Sequence, residues 1–113
     1  MRVTVLVVLF GLLAGSPAWA AAQEGDAQKG KTHFMICQNC HGEKAQGTPA
    51  QGAPRLAGQH PEYLRRQLFN FRAGIRGTHE NDQYGQLMSN FAKGLPDEQA
   101  VRDVVAYIET LQP

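Results

Sequence analysis

The five residues CQNCH at 37–41 decide how this chain is interpreted. They contain the only two cysteines, Cys37 and Cys40, and His41 follows the second cysteine directly. A disulfide is one interpretation, because exported proteins keep such bonds. Zinc is a weaker one, because structural zinc commonly takes two separated ligand pairs and the sequence offers no second pair of that kind. A thioredoxin-like redox motif requires a βαβ context, and no strand pattern flanks these residues.

The same spacing is that of a c-type haem attachment site. Thiols three positions apart on a helical turn lie on one face, so Cys37 and Cys40 can each form a thioether with one vinyl group of a haem. His41 is next along the turn and can bind the iron as its proximal ligand. The motif therefore predicts one covalently attached haem c.

Residues 1–20 have the pattern of an export signal. A basic residue precedes the apolar run Val3–Leu13, which is too short to span a bilayer, and residues 18–20 form an A-x-A cleavage site. We predict a cleaved signal peptide at 1–20, with cleavage after Ala22 as the alternative. The remaining residues, 21–113, are predicted to form a single domain in the bacterial periplasm.

Removal of the predicted signal peptide would leave a chain with equal numbers of basic and acidic residues. Of its eleven Lys and Arg residues, Arg2 lies in the predicted signal peptide, so ten remain against ten Asp and Glu. A balanced charge without a basic run argues against nucleic acid as a partner. We also expect no membrane contact after signal cleavage.

The chain after the signal peptide is predicted to be all-α. A first helix starts at Gly25-Asp26 and leads into the CQNCH motif. Pro61 beside an acidic residue marks the start of a second helix, which ends near Gly74. A last helix starts at residues 96–98, and its apolar residues recur at helical spacing. These residues are Val101, Val104, Val105, Ile108 and Leu111.

The two segments between these helices are predicted to be loops. The first runs from Gly42 to Gly58 and is rich in glycine, proline and alanine. The second runs from Ile75 to about Gly94. Met88 falls within the second of these predicted loops.

Three segments in this order resemble class I c-type cytochromes of the small bacterial periplasmic kind. They are GDAQKGKTHFMICQNCHG at 25–42, PRLAGQHPEYLRRQLFNFRAG at 54–74 and LMSNFAKGLPDEQAVRDVVAYIETL at 87–111. They cover nearly all of the chain after the signal peptide, and the pattern is similar to one half of the periplasmic dihaem cytochromes c. The resemblance implies an all-α class I cytochrome c fold, in which the N- and C-terminal helices cross over a covalently attached haem.

The resemblance also implies which residues meet at the helix crossing. Gly30 and Phe34 of the first helix are expected to contact Tyr107 of the last helix. A glycine lets two backbones approach closely, and two aromatic rings fill the space beside them.

The second axial ligand of the iron is implied to be Met88. The other Met and His residues after the signal peptide are Met35, His33, His60 and His79. Met35 and His33 precede the attachment site on the same segment and are poorly placed to reach the opposite face of the ring. His79, or an open or solvent-ligated iron, remains an alternative.

The resemblance assigns three more residues around the haem. The carbonyl of Pro54 is implied to accept the Nδ1–H of His41, which would fix the tautomer of the imidazole. Leu56 and Leu87 are implied to pack on the ring. Polar residues that could meet the haem propionates are Arg55, Gln59, Tyr63, Arg72, Arg76 and Asn81.

An iron with both axial positions filled favours outer-sphere electron transfer over catalysis, and His/Met ligation raises its potential. We therefore predict a monomeric one-electron carrier with no catalytic residues. Its donor would be a quinol-oxidising complex or a dehydrogenase, and its acceptor an oxidase or a reductase. The alternative is a cytochrome c subunit of a larger periplasmic oxidoreductase.

Overall fold

The computed structural model describes residues 24–113, together with Gly11 and Gly15. Within these residues the α-helices are α1 (Ala27–His41), α2 (Pro61–Arg72), α3 (Gln83–Lys93) and α4 (Glu98–Thr110). A single 3-10 turn at Pro49–Gln51 follows α1. The prediction of an all-α fold is confirmed.

The predicted signal peptide at 1–20 and its cleavage site lie outside the described residues, apart from Gly11 and Gly15. Among the helices that the structure describes, none combines the length and the apolar character needed to cross a membrane.

Aspartates begin three of the four helices. The carboxylate of Asp26 accepts the backbone N–H of Gln28 at 2.9 Å ahead of α1. Asp82 and Asp97 cap α3 and α4 in the same way. Such a cap satisfies an N–H group that has no partner within the helix. α2 instead begins with Pro61, whose missing N–H costs nothing at that position.

α1 crosses α4 at close range. A Cβ built on Gly30 would overlap the carbonyl oxygen of Asp103 and lie 2.9 Å from Cβ of Tyr107. The rings of Phe34 and Tyr107 meet beside this point, with centroids 5.4 Å apart and planes tilted by 56°. Any side chain at position 30 would therefore push the two helices apart.

A second glycine contact at this crossing was not predicted from the sequence. A Cβ on Gly25 would overlap the carbonyl oxygen of Arg102 and lie 2.8 Å from Cβ of Ala106. Gly25 and Gly30 thus meet neighbouring positions of α4, because the contacts of Gly30 each lie one residue after those of Gly25.

The core lies between α4, α1 and α2. The predicted stripe of α4 faces it, and Val101, Val104, Val105 and Ile108 are buried. Leu111, the last predicted member, lies just beyond the end of the helix and is half-buried. The burial of this stripe confirms the amphipathic pattern expected for α4.

Asp103 places a carboxylate inside the crossing, where it is only 2% exposed. Its Oδ1 accepts the backbone N–H of Asp26 at 2.8 Å and the side-chain amide of Gln99 at 2.9 Å. Asp26 is the residue that caps α1. The buried carboxylate therefore ties the start of α1 to the middle of α4.

Replacing Asp103 with alanine should lower the free energy of unfolding by about 1–3 kcal/mol, because the Asp26 N–H loses its partner. Urea denaturation followed by circular dichroism measures the change. Asp103→Asn is the matched control. It keeps an oxygen at the same position, so its free energy of unfolding should fall by less than that of Asp103→Ala. An alanine variant as stable as the native protein would contradict this role.

The prediction of a loop from Ile75 to about Gly94 was wrong. α3 occupies Gln83–Lys93, and Met88 therefore lies in a helix. Its apolar residues are Tyr84, Leu87, Met88 and Phe91, which recur at helical spacing. The buried face of the helix instead carries Gly85, Ser89 and Ala92. Because this face has no large apolar residue, the sequence did not indicate a helix that packs in the core.

Candidate haem-binding site

The last turn of α1 carries Cys37, Cys40 and His41. Both cysteines are half-buried free thiols, so no disulfide joins them. His41 is 4% exposed. Within the described part of the chain no cluster of His, Cys, Asp and Glu could hold a metal ion by itself.

His41 is held by the loop that follows α1. Its Nδ1 lies 2.8 Å from the carbonyl oxygen of Pro54. Because a carbonyl only accepts, Nδ1 carries the proton and donates it. The lone pair of the imidazole is then on Nε2, which is the arrangement that a metal ligand requires.

Backbone hydrogen bonds fix the shape of this loop. The N–H of Gly47 donates to the carbonyl of His41 at 2.7 Å, and the N–H of Leu56 donates to the carbonyl of Ala45 at 2.9 Å. Ala45 is fully buried and has a positive φ of 53°. The carbonyl of Pro54 is therefore held in place by its neighbours along the chain.

α3 brings Met88 to the site from the other half of the chain. The hydroxyl of Ser89, the next residue, donates to the carbonyl of Phe71 at 3.0 Å and is buried. The guanidinium of Arg72 donates to the carbonyl of Ala92 at 2.8 Å, near the C-terminal end of α3. Both bonds fasten α3 to α2 and so set the position of Met88.

Two adjoining cavities lie between these halves. Both are lined by Cys37, His41, Gly52, Pro54, Tyr84 and Met88. The larger has a volume of about 390 Å³, which is within the range of small-molecule sites, about 300–1,000 Å³. Leu56 lines the larger cavity and Leu87 the smaller. The structure thus brings the predicted ligands and ring-packing residues to one space.

The residues around this space fit a haem. Two thiols, one imidazole with a free Nε2 and one thioether line the smaller cavity, and all of them except Cys40 also line the larger one. The deep wall of the larger cavity is apolar and includes Leu64, Leu68 and Phe71. A flat apolar ring that binds iron and carries two reactive vinyl groups matches these donors.

The polar residues of the larger cavity match the carboxylates of such a ring. Of the predicted propionate partners, Gln59, Tyr63 and Arg76 line the cavity. The guanidinium of Arg76 lies 4.6 Å from the centroid of Phe71 and donates to Gln67 at 2.8 Å. Arg76 therefore supplies a positive charge at the polar side of the site.

The other three polar candidates are not brought to the site. Arg55 and Asn81 line neither cavity. Arg72 also lines neither, and its guanidinium is engaged by backbone carbonyls at the end of α3. The amino-acid sequence alone does not separate these residues from Arg76, because the distinction depends on how α3 packs on α2.

The alternative axial ligands lie elsewhere. Met35 is 61% exposed, and His60 and His79 are also exposed. The Nδ1 of His79 accepts the backbone N–H of Asn81 at 3.2 Å. Neither these three residues nor His33 line either cavity.

Burial affects the reactivity of Cys37. It raises the pKa of this thiol to about 11, and the nearby Cys40 contributes in the same direction. Cys37 is therefore protonated at neutral pH, and only a small fraction is the thiolate that reacts with electrophiles. An unoccupied thiol at this position would be a weak nucleophile toward other reagents.

Sequence reasoning missed several residues that line the cavities. Among them are Ile36, Gln67, Tyr84 and Phe91. Tyr84 and Phe91 belong to the stripe of α3 that includes Met88, and recognition of that helix would have identified both. No local signal marks Gln67, because it reaches the cavity only through the packing of α2.

Comparisons with known proteins identify the family of this chain. A family model described as "Cytochrome c" matches residues 27–112. The chain is 36% identical over 113 residues to "Thiosulfate dehydrogenase electron acceptor" of Thiomonas intermedia (strain K12), covering 99% of this chain and 45% of that protein. It is 39% identical over 94 residues to "Cytochrome c-554(547)" of Halothiobacillus neapolitanus, covering 78% of this chain and 99% of that protein.

A solved structure shares the arrangement of helices. Reduced recombinant cytochrome c4 from Pseudomonas stutzeri superimposes with a TM-score of 0.65 at 27% identity, over 80% of this chain and 52% of that one. The chain thus spans about half the length of the cytochrome c4 and of the thiosulfate dehydrogenase relative. The helix order, the site and the family match agree, and the chain belongs to the cytochrome c family, with the class I fold.

Proposed function

We propose that the chain is a one-electron carrier of the bacterial periplasm that holds one haem c. Cys37 and Cys40 bind the haem through thioethers, and His41 and Met88 are the axial ligands. The observation that supports this proposal best is the common cavity: two thiols, an imidazole and a thioether line one space. When bound there, the haem supplies a reversible one-electron couple of its iron.

The residues of the chain prepare this site for electron transfer. Pro54 holds the imidazole of His41 with Nε2 free and makes it a better electron donor. The thioether of Met88 is a soft ligand and favours the reduced iron. Leu56 and Leu87 supply apolar surface that keeps water away from the site.

The domain boundaries belong to the same proposal. A signal peptide at 1–20 exports the chain and is removed, after Ala20 or after Ala22. Residues 21–113 then form one domain. Its redox partners are a quinol-oxidising complex or a dehydrogenase as donor and an oxidase or reductase as acceptor.

A second candidate function follows from the name of one relative. The Thiomonas protein is described as the electron acceptor of thiosulfate dehydrogenase. By analogy, the chain would be the cytochrome c subunit of a larger periplasmic oxidoreductase. Light scattering separates the two candidates: a free carrier purifies as a monomer, and a subunit purifies with a second, catalytic chain.

Mass spectrometry of protein from periplasm with an intact haem-attachment system tests the haem. We expect the mass of a chain starting at Ala21 or Gln23 plus one haem. The Cys37→Ser/Cys40→Ser double variant is the control and should carry no covalent haem. A native chain of unmodified mature mass would refute the proposal.

A further inference from the structure

Tyr84 lies on α3 one turn before Met88 and lines both cavities of the site. Its side chain is exposed, at 60% of the maximum. Its ring lies directly against the backbone of Gly52: a Cβ built on that glycine would be 2.5 Å from Cζ of the ring. The contact joins α3 to the loop after α1, and both of its residues line the two cavities that His41 and Met88 also line.

Gly52 is the tip of a rigid turn. Thr48 and Ala53 exchange two backbone hydrogen bonds, of 2.9 and 3.2 Å, and the N–H of Gly52 donates to the carbonyl of Pro49 at 3.0 Å. The φ of Gly52 is +63°, a left-handed conformation that glycine adopts without strain. Because Gly52 has no side chain, the ring of Tyr84 packs directly on the backbone of this turn.

The backbone beside Tyr84 is equally fixed. The N–H of Gly85 donates to the carboxylate of Asp82 at 2.8 Å. Gly85 is buried, and its carbonyl lies so close to Gly77 that a Cβ there would overlap it. The exposed ring of Tyr84 therefore extends from a first turn of α3 that is held by these contacts.

We propose that Tyr84 and Gly52 form a latch that closes the haem cavity between its His41 side and its Met88 side. The proposal rests on the proposed haem site. A closed latch limits the entry of water and small ligands to the iron. Since solvent access lowers the potential of a buried redox centre and opens it to foreign ligands, the latch favours the reduced state and protects the Met88 bond.

Tyr84→Ala should open the cavity without touching a proposed ligand of the iron. We expect imidazole to bind the oxidised protein about tenfold more tightly, because the open state becomes more populated. The midpoint potential should fall. Tyr84→Phe keeps the ring, so its imidazole affinity and midpoint potential should equal those of the native protein. Ile75→Ala removes an exposed apolar side chain that lines neither cavity, and it should also match.

Gly52→Ala tests the other half of the latch while the tyrosine stays. The added methyl group displaces the ring, so imidazole binding and the potential should change in the same direction as in Tyr84→Ala. The double variant should change little beyond either single variant, because both single variants remove the same contact.

The native protein must first show the haem mass and the sulfur-to-iron band; their absence would refute the proposed function rather than the latch. Native-like imidazole binding in Tyr84→Ala, or an equal change in Tyr84→Phe, would overturn the latch.

Discussion

Substituting Met88 with alanine is expected to remove the sulfur-to-iron charge-transfer band of the oxidised protein. The reduction potential should fall by an amount on the order of 100 mV, because axial ligand identity spans about 0.8 V among haem proteins. The physical reason is the loss of a soft sulfur donor that favours ferrous iron. Carbon monoxide should also bind the reduced variant readily. Optical spectroscopy with a redox titration measures all three effects.

Met35→Ala is the matched control for this experiment. Met35 has the same side chain but is exposed and lines neither cavity, so its variant should keep the native band and potential. The assignment of Met88 would be wrong if its variant kept the band while the Met35 variant lost it. If His79→Ala changed the potential while Met88→Ala kept the native potential, the imidazole of His79 would instead be the axial ligand.

The sequence predicted those parts of the site that depend on local structure. Cys37, Cys40 and His41 share one helical turn, and their spacing alone indicates their geometry. The starts of α1, α2 and α4 were predicted because each has a capping residue or a proline at that point. The all-α fold followed from these helices and is confirmed.

α3 was missed because its local signal is weak and its stability comes from tertiary contacts. Gly85 and Ser89 are poor helix formers, yet each is buried against α2 or the segment after it. The bond from Ser89 to the carbonyl of Phe71 spans 18 residues. Packing of this kind overrides intrinsic propensity and cannot be read from a short window of sequence.

The partners of charged side chains also could not be predicted from the sequence. Arg72 and Arg76 are four residues apart, and both were candidates for the haem propionates. Arg76 lies at the cavity, whereas Arg72 donates to the carbonyls of Ala92 and Leu95. Asp103 sits within an apolar stripe and was not recognised as a buried polar group. Its partner Asp26 is 77 residues away, and only the fold brings them together.

The crossing of α1 and α4 should respond most strongly to the loss of its aromatic pair. Phe34 is 1% exposed, and Phe34→Ala is expected to lower the free energy of unfolding by about 3–5 kcal/mol, because it leaves a cavity in the core. Tyr107→Ala should cost less, since Tyr107 is only half-buried. Denaturant titrations of the haem-loaded variants measure both losses.

The double variant tests whether the two rings stabilise each other. Their centroids are 5.4 Å apart, a separation at which aromatic pairs contribute about 0.5–1.5 kcal/mol beyond burial. The loss in Phe34→Ala/Tyr107→Ala should therefore be smaller than the sum of the single losses by about that amount. Phe34→Ala combined with Ile75→Ala is the control, and its losses should add, because Ile75 is exposed in the segment between α2 and α3. If the losses of Phe34→Ala and Tyr107→Ala also add, the rings do not support each other, and the crossing would depend on the close approach at Gly25 and Gly30 and on the hydrogen bonds of Asp103.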